Sequence, residues 1–217
     1  MSDHFTISDA GIGALLLDVA GDGAFEEARQ ARLLALAESF AAVDGIDDVV
    51  PGMNNLMVVF DPLAIGAEEI GRRLADGWRK STATIGEGRS HEIAVSYGGT
   101  DLAAFAAGLD LSVEDVVERH AAAVYRVAAI GAMPGFPYLS GLDPSLATPR
   151  RAVPRQGVPK GAVIVGGGQA GIMPITAPSG WHILGHTDFV LFDPHRAAPA
   201  TLRPGDTVRF TVARVEP

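Results

Sequence analysis

The sequence predicts an α+β chain built as two units, a small α+β unit over residues 1–85 and a β-rich unit over 86–217. Three observations carry this. Helix and strand patterns alternate up to about residue 80, and a polar stretch, STATIGEGRS, spans 81–90. After residue 131 the helical period vanishes, and short apolar runs are parted by Gly and Pro.

In the first unit, residues 14–19 (ALLLDV) form an apolar run suited to a strand. Residues 24–42 turn helical: Leu33, Leu36, Ala37 and Phe40 fall at i, i+3, i+4 and i+7, on one face. Residues 47–51 and 55–60 (NLMVVF) read as strands joined by the turn PGMN. Residues 67–79 return to helix, with Ile70, Leu74 and Trp78 spaced by four. Strand, helix, two strands and helix is the order of a ferredoxin-like unit.

The second unit opens with the strand EIAVSY after His91 and two short helices, 101–108 and 112–122. Ser112 is placed to cap the second helix, with Asp115 three residues on in a capping-box pattern. A strand follows at 125–131 (YRVAAIG). Beyond it the runs AVIVG, GIMPIT, HILGH, FVLFD and TVRFTV alternate with turns, the signature of an antiparallel sheet or barrel.

Composition narrows the function classes. With 17 basic against 26 acidic residues the net charge is -9, which argues against a nucleic-acid partner. The absence of cysteine excludes a disulfide scaffold, a thiol nucleophile and a zinc–cysteine site, and fits a cytoplasmic protein. MSDHFTISDAG lacks the basic start and apolar run of a signal peptide. The longest apolar runs fall far below the ~20 residues of a membrane helix, so no membrane partner is expected.

Single motifs lead to structural readings. GGGQAG (166–171) matches G-x-G-x-x-G, but IMPITAPSGW follows, and Pro174 and Pro178 block the helix a dinucleotide site requires. A tight glycine turn between strands is the better reading. His182 and His186 are four apart in a strand-like setting with Gly185 between, so no metal site is expected. No G-x-S-x-G elbow, Walker-type phosphate loop or self-sufficient triad is present. His120 ends a helix, where a protonated imidazole is favoured, and is a candidate acid–base group as well as a cap.

The segment 134–154, PGFPYLSGLDPSLATPRRAVP, is stiffened like a linker yet carries aromatics and arginines. Phe136, Tyr138, Arg150, Arg151, Arg155, Gln169 and Trp181 form the remaining constellation. Guanidiniums hold carboxylate or phosphate in two-pronged contacts, and Pro149 and Pro154 lower the entropic cost of presenting them. Arg150 and Arg155 are expected to hold an anion, Gln169 to hydrogen-bond an amide or carbonyl, and Phe136 and Trp181 to wall the pocket. Phe136 and Tyr138 share one side of an extended backbone and Leu139 takes the other; on the same rule Arg150 and Arg151 are expected to face apart.

Over residues 91–210 the sequence resembles the family of 5-oxoprolinase B subunits, also called allophanate hydrolase subunit 1 or KipI-type, the subdomain B part of carboxyltransferase domains. The likeness lies in YGG (97–99), His120, PGFPYL (134–139), GLD (141–143), PRR (149–151), PR (154–155), QAG (169–171), GW (180–181) and PGD (204–206). VVFDP (58–62) matches more loosely. The resemblance implies a ferredoxin-like domain followed by a cyclophilin-like β-barrel. It implies half of a composite site for a small-molecule substrate, shared with a larger 5-oxoprolinase C-subunit-like protein. With an A-subunit-like protein, the complex would open 5-oxoproline using ATP (with Mg), none of it held tightly by this chain alone. Two other roles are implied by family members: a KipI-like sensor-kinase inhibitor and the carboxyltransferase part of a urea carboxylase. The sequence departs from the family at Ala132, Met173, Ser179, His182 and His186; His182 and His186, where the family has Gln and Arg or Lys, are expected at the pocket border as substrate- or anion-binding residues.

Overall fold

The structure is a computed structural model and describes residues 4–20, 25–82 and 88–216. The chain divides into two compact units, residues 1–87 and 88–217.

The first unit is a four-stranded antiparallel sheet with two helices. Its strands are β1 (Thr6–Asp9), β2 (Ala14–Asp18), β3 (Ile46–Pro51) and β4 (Asn55–Phe60), in the order β1-β2-β4-β3. Helix α1 (Glu27–Phe40) buries Leu33, Leu36, Ala37 and Phe40, the stripe its period defines; residue 24, the expected start, lies outside the described residues. Helix α2 (Ala67–Lys80) buries Ile70, Leu74 and Trp78 against the same sheet. Each such fully buried side chain stabilises by about 1.5–3 kcal/mol relative to exposure. The sequence pattern had no strand at β1. It takes the edge position that a ferredoxin-like βαββαβ unit fills with the strand after its second helix.

The second unit is a closed seven-stranded barrel. Around it run β10 (Gln169–Ile172), β7 (Pro137–Ser140), β6 (Val124–Ile130), β13 (Thr207–Val215), β5 (Ser90–Tyr97), β12 (His182–His186) and β9 (Ala162–Gly166). Only β13 and β5 pair in parallel. Helices α3 (Leu102–Gly108) and α4 (Val113–Ala122) pack on the barrel, and the Ser112–Asp115 capping box starts α4. A separate ribbon pairs β8 (Arg155–Val158) with β11 (Ala177–Ser179). GGGQAG closes the β9–β10 hairpin: Gly166 and Gln169 pair, leaving Gly167 and Gly168 as a two-residue loop, with Gly167 at φ 63°.

Two sequence expectations change. The linker-like segment 134–154 is not wholly a connection between strands, because Pro137–Ser140 within it is barrel strand β7; Pro137 is its first residue, where a missing N–H is tolerated. FVLFD is not a strand. Phe192 makes one bridge with Ala200, and Pro194 and Pro199 supply no donors to extend it.

Strand β9 positions the site. Val163 and Val165 point into the barrel core, while Ala162 and Ile164 join a second cluster with Phe136, Met173, Trp181 and Ile183. The strand is therefore buried on both faces, which is why AVIVG is apolar throughout.

Candidate functional site

On the outer side of β9 lies a groove of about 300 Å³. Phe136, Tyr138 and Trp181 form one wall. Their rings meet edge to face, with centroids 5.0 Å apart for Phe136–Tyr138, 5.7 Å for Phe136–Trp181 and 6.2 Å for Tyr138–Trp181. Met133, Met173 and Pro178 add apolar surface, and the Ser179 hydroxyl accepts a hydrogen bond from the Trp181 backbone N–H at 3.2 Å. Glycine is needed behind the tryptophan. A Cβ on Gly166 would lie 2.6 Å from the Trp181 ring.

Arg150 is exposed, with its guanidinium carbon 5.5 Å from the Trp181 ring centroid. Its neighbour Arg151 lines the same groove, contrary to the alternation rule. The rule fails because residues 149–152 are not in a strand; the Arg151 N–H instead donates to the Gly180 carbonyl at 2.7 Å. The Arg151 guanidinium donates to Asp101 at 3.1 Å, and Arg155 donates to the same carboxylate oxygen. Asp101 is buried and also accepts from the Ile183 N–H at 2.9 Å.

The remaining predicted residues fall elsewhere. Arg155 does not line the groove and spends its guanidinium on Asp101. Gln169 is half-buried in the β9–β10 hairpin, outside the lining. The His182 Nε2 donates to the Pro149 carbonyl at 2.9 Å, which holds the backbone just before Arg150. His186 borders a different depression with Ser96, Gly98 and Arg214. His182 and His186 part company because the register of β12 shifts between Ile183 and Gly185.

His120 lies in the barrel core. It is wholly inaccessible, its Nδ1 shares a hydrogen bond with the Tyr97 hydroxyl at 2.7 Å, and its ring stacks on Phe210 with centroids 4.8 Å apart. Burial pushes its pKa down to about 3, so the imidazole is neutral. Desolvation overrides the helix-end attraction for a proton, and the geometry leaves His120 away from the groove as a core residue. Among the described residues, no group of three or more His, Cys, Asp or Glu is placed to hold a metal ion, and no helix is long and apolar enough to cross a membrane.

Sequence reasoning turned Arg151 away from the pocket and missed Asp101. The signal for Asp101 was faint: it holds the N-cap position of α3, yet its side chain makes no cap bond and turns to the arginines.

With this geometry in place, comparison supplies the class. Residues 5–202 match the family described as carboxyltransferase domain, subdomain C and D, and the chain belongs to that family. The resemblance had suggested subdomain B. Among individual relatives, the chain is 46% identical to the B subunit of 5-oxoprolinase from Escherichia coli O157:H7, covering 84% of this chain and 85% of that protein. It is 40% identical to the B subunit of 5-oxoprolinase from Haemophilus influenzae, covering 87% and 89%. The crystal structure of TTHA0988 superposes with a TM-score of 0.82 at 39% identity, over 92% of this chain. This chain spans about two fifths (40%) of the TTHA0988 chain.

Proposed function

We propose that this chain is the B-type subunit of an ATP-dependent 5-oxoprolinase, supplying half of a composite site that is completed by a larger C-subunit-like protein and an A-subunit-like protein. The observation that carries the reading is the 46% identity to a 5-oxoprolinase B subunit over most of both chains. The groove supports it chemically. It offers cations for a carboxylate and an aromatic wall for a flat ring, but no His, Asp, Glu or Lys among its lining residues. Ser179 and Tyr138 therefore have no base beside them in the groove, and proton transfer must come from outside it.

Arg150 takes the substrate carboxylate, and Trp181 with Phe136 covers the ring face. Mg binds through oxygen ligands, chiefly carboxylates, and the groove lining has none, so we assign Mg and ATP to the partners' side. The ATP would supply the drive for opening the amide. This reading puts the protein in the cytoplasm.

The test is reconstitution. The chain alone, and the chain mixed with its C-like and A-like partners, are assayed for ADP release that depends on 5-oxoproline. No turnover is expected alone and clear turnover in the mixture, lowered at least ten-fold by Arg150→Gln. Robust turnover by the isolated chain, or none from the full mixture, would overturn the proposal.

A further inference from the structure

Arg150 and Arg151 line one groove but sit in different surroundings. Arg150 is exposed above Trp181. Arg151 is anchored through its backbone to Gly180 and through its guanidinium to Asp101. Asp101 is shared with Arg155, so one carboxylate faces two guanidiniums and cannot neutralise both. The Nε atoms of Arg151 and Arg155 are buried with no hydrogen-bond partner among the described residues. Three arginines against one aspartate leave two net positive charges here, beside a groove with no acidic lining residue. The chain as a whole carries -9, so this local sign is opposite to the bulk.

We infer that the groove selects a small acid with two anionic groups, one carboxylate held by Arg150 and the second by Arg151, with Arg151 as the residue that sets this specificity. Asp101 is a positioning residue: it holds Arg151 while Arg155 and the Ile183 N–H keep Asp101 itself satisfied. A volume of about 300 Å³ is at the small end for ligand pockets and suits a short chain. The choice of a five-carbon diacid rests on the proposed function. There, water adds across the lactam C–N bond, the carbonyl carbon becomes a second carboxylate and the nitrogen becomes an amine. The groove would thus favour the opened form over the cyclic monocarboxylate.

The experiment is calorimetric titration of the full chain with glutarate, 5-oxoproline and inorganic phosphate. Glutarate is expected to bind at least ten-fold tighter than 5-oxoproline and tighter than phosphate. Arg151→Gln should bring glutarate and 5-oxoproline within two-fold by weakening glutarate alone, whereas Arg150→Gln should weaken both. Should Arg151→Gln melt well below the parent, Arg151→Lys keeps the charge beside Asp101 and loses the forked contact. It should weaken glutarate at least three-fold with 5-oxoproline unchanged. Equal affinities, tighter phosphate, no saturable glutarate binding, or Arg151 variants that affect both acids alike or neither would overturn the inference. No turnover enters these measurements. A reconstituted mixture without 5-oxoproline-dependent ATP hydrolysis would remove the proposed function and leave the diacid preference standing, and equal affinities would do the reverse.

Discussion

Gly166→Ala tests whether the groove wall and the barrel are one packed body. Gly166 ends β9, and its φ is not in the left-handed region, so alanine brings no backbone strain of its own. Its Cβ would lie 2.6 Å from Trp181 Cγ, 2.7 Å from Cδ2 and 2.9 Å from Cδ1. Carbon atoms pack at about 3.5–4.0 Å, so the indole must shift by roughly 1 Å. It has little room. Phe136 and Tyr138 stand against it, and Gly171 is closed by the same ring, since a Cβ there would sit 3.3 Å from Trp181 Cζ3. Overpacking of this kind costs about 1–3 kcal/mol, which lowers Tm by roughly 4–10 °C for a unit of this size. Thermal unfolding followed by near-ultraviolet circular dichroism reads both the Tm and the indole environment. Trp181→Leu makes space, so the double variant should be more stable than the sum of the two single losses by at least about 1 kcal/mol. Additive losses, or a Tm unchanged by Gly166→Ala, would refute the reasoning.

Other consequences can be checked as directly. His120 is neutral in the folded state with its pKa near 3, while an unfolded histidine takes a proton near 6.5. The unfolded state therefore binds more protons between those values, and this group's stabilisation is complete above pH 6.5 and declines on acidification by up to about 1.4 kcal/mol per pH unit. Urea midpoints at pH 7 and pH 5 should converge in His120→Phe relative to the parent, and an identical pH dependence would contradict the buried neutral imidazole. Asp101→Asn should cost roughly 2–3 kcal/mol in chemical denaturation. That is just below the range of about 3–5 kcal/mol for breaking a fully buried ion pair, because the two arginine side chains are about one third exposed. A loss under about 0.5 kcal/mol would mean the carboxylate is dispensable. Arg150→Ala should leave stability within about 0.5 kcal/mol, as for most exposed side chains, and a collapse of the barrel would mark it as structural. A chain beginning at residue 88 should melt cooperatively by itself, since the second unit has its own core; a molten or insoluble product would contradict this.

The parts of the fold governed by local period were open to sequence reading. Leu33, Leu36, Ala37 and Phe40 announce α1 because a buried helix face repeats every 3.6 residues, and Val163 to Val165 announce β9 because both its faces are covered. Strands β1, β8 and β11 were not legible. Each is three or four residues long, too short for a period to stand out from a turn, and each owes its pairing to another segment. The site divides in the same way. Phe136 and Tyr138 lie two apart on a strand approach, so their shared side follows from the pleat. Arg151 escapes the pattern because alternation holds only along a strand, and residues 149–152 lie outside one, with the Arg151 N–H bonded to the Gly180 carbonyl. His120 escapes it because helix-end attraction describes an exposed imidazole, whereas Tyr97, Tyr125 and Phe210 enclose this one. Burial is a tertiary fact that no local pattern records.

The same tertiary contacts explain why an arginine-bearing segment rich in proline can serve as a site. The backbone from Pro149 to Arg155 is fixed at three points: the Pro149 carbonyl to His182, the Arg151 N–H to Gly180, and two guanidiniums to Asp101. His182 belongs to β12, and Asp101 is tied to the same strand by the Ile183 N–H; β12 in turn pairs with β9. The aromatic wall rests on the outer face of β9, and its inner face is barrel core. The Arg151 guanidinium and the wall are thus referred to one pair of strands, so an anion entering the groove meets one charge already held in place. Little reorganisation is then needed on binding, which is the condition under which a few charged contacts give usable affinity. On the proposed function, a groove with fixed charge and no proton-transfer group among its lining residues would hold a substrate for chemistry delivered from another surface. That division of labour is what the proposed half-site requires physically.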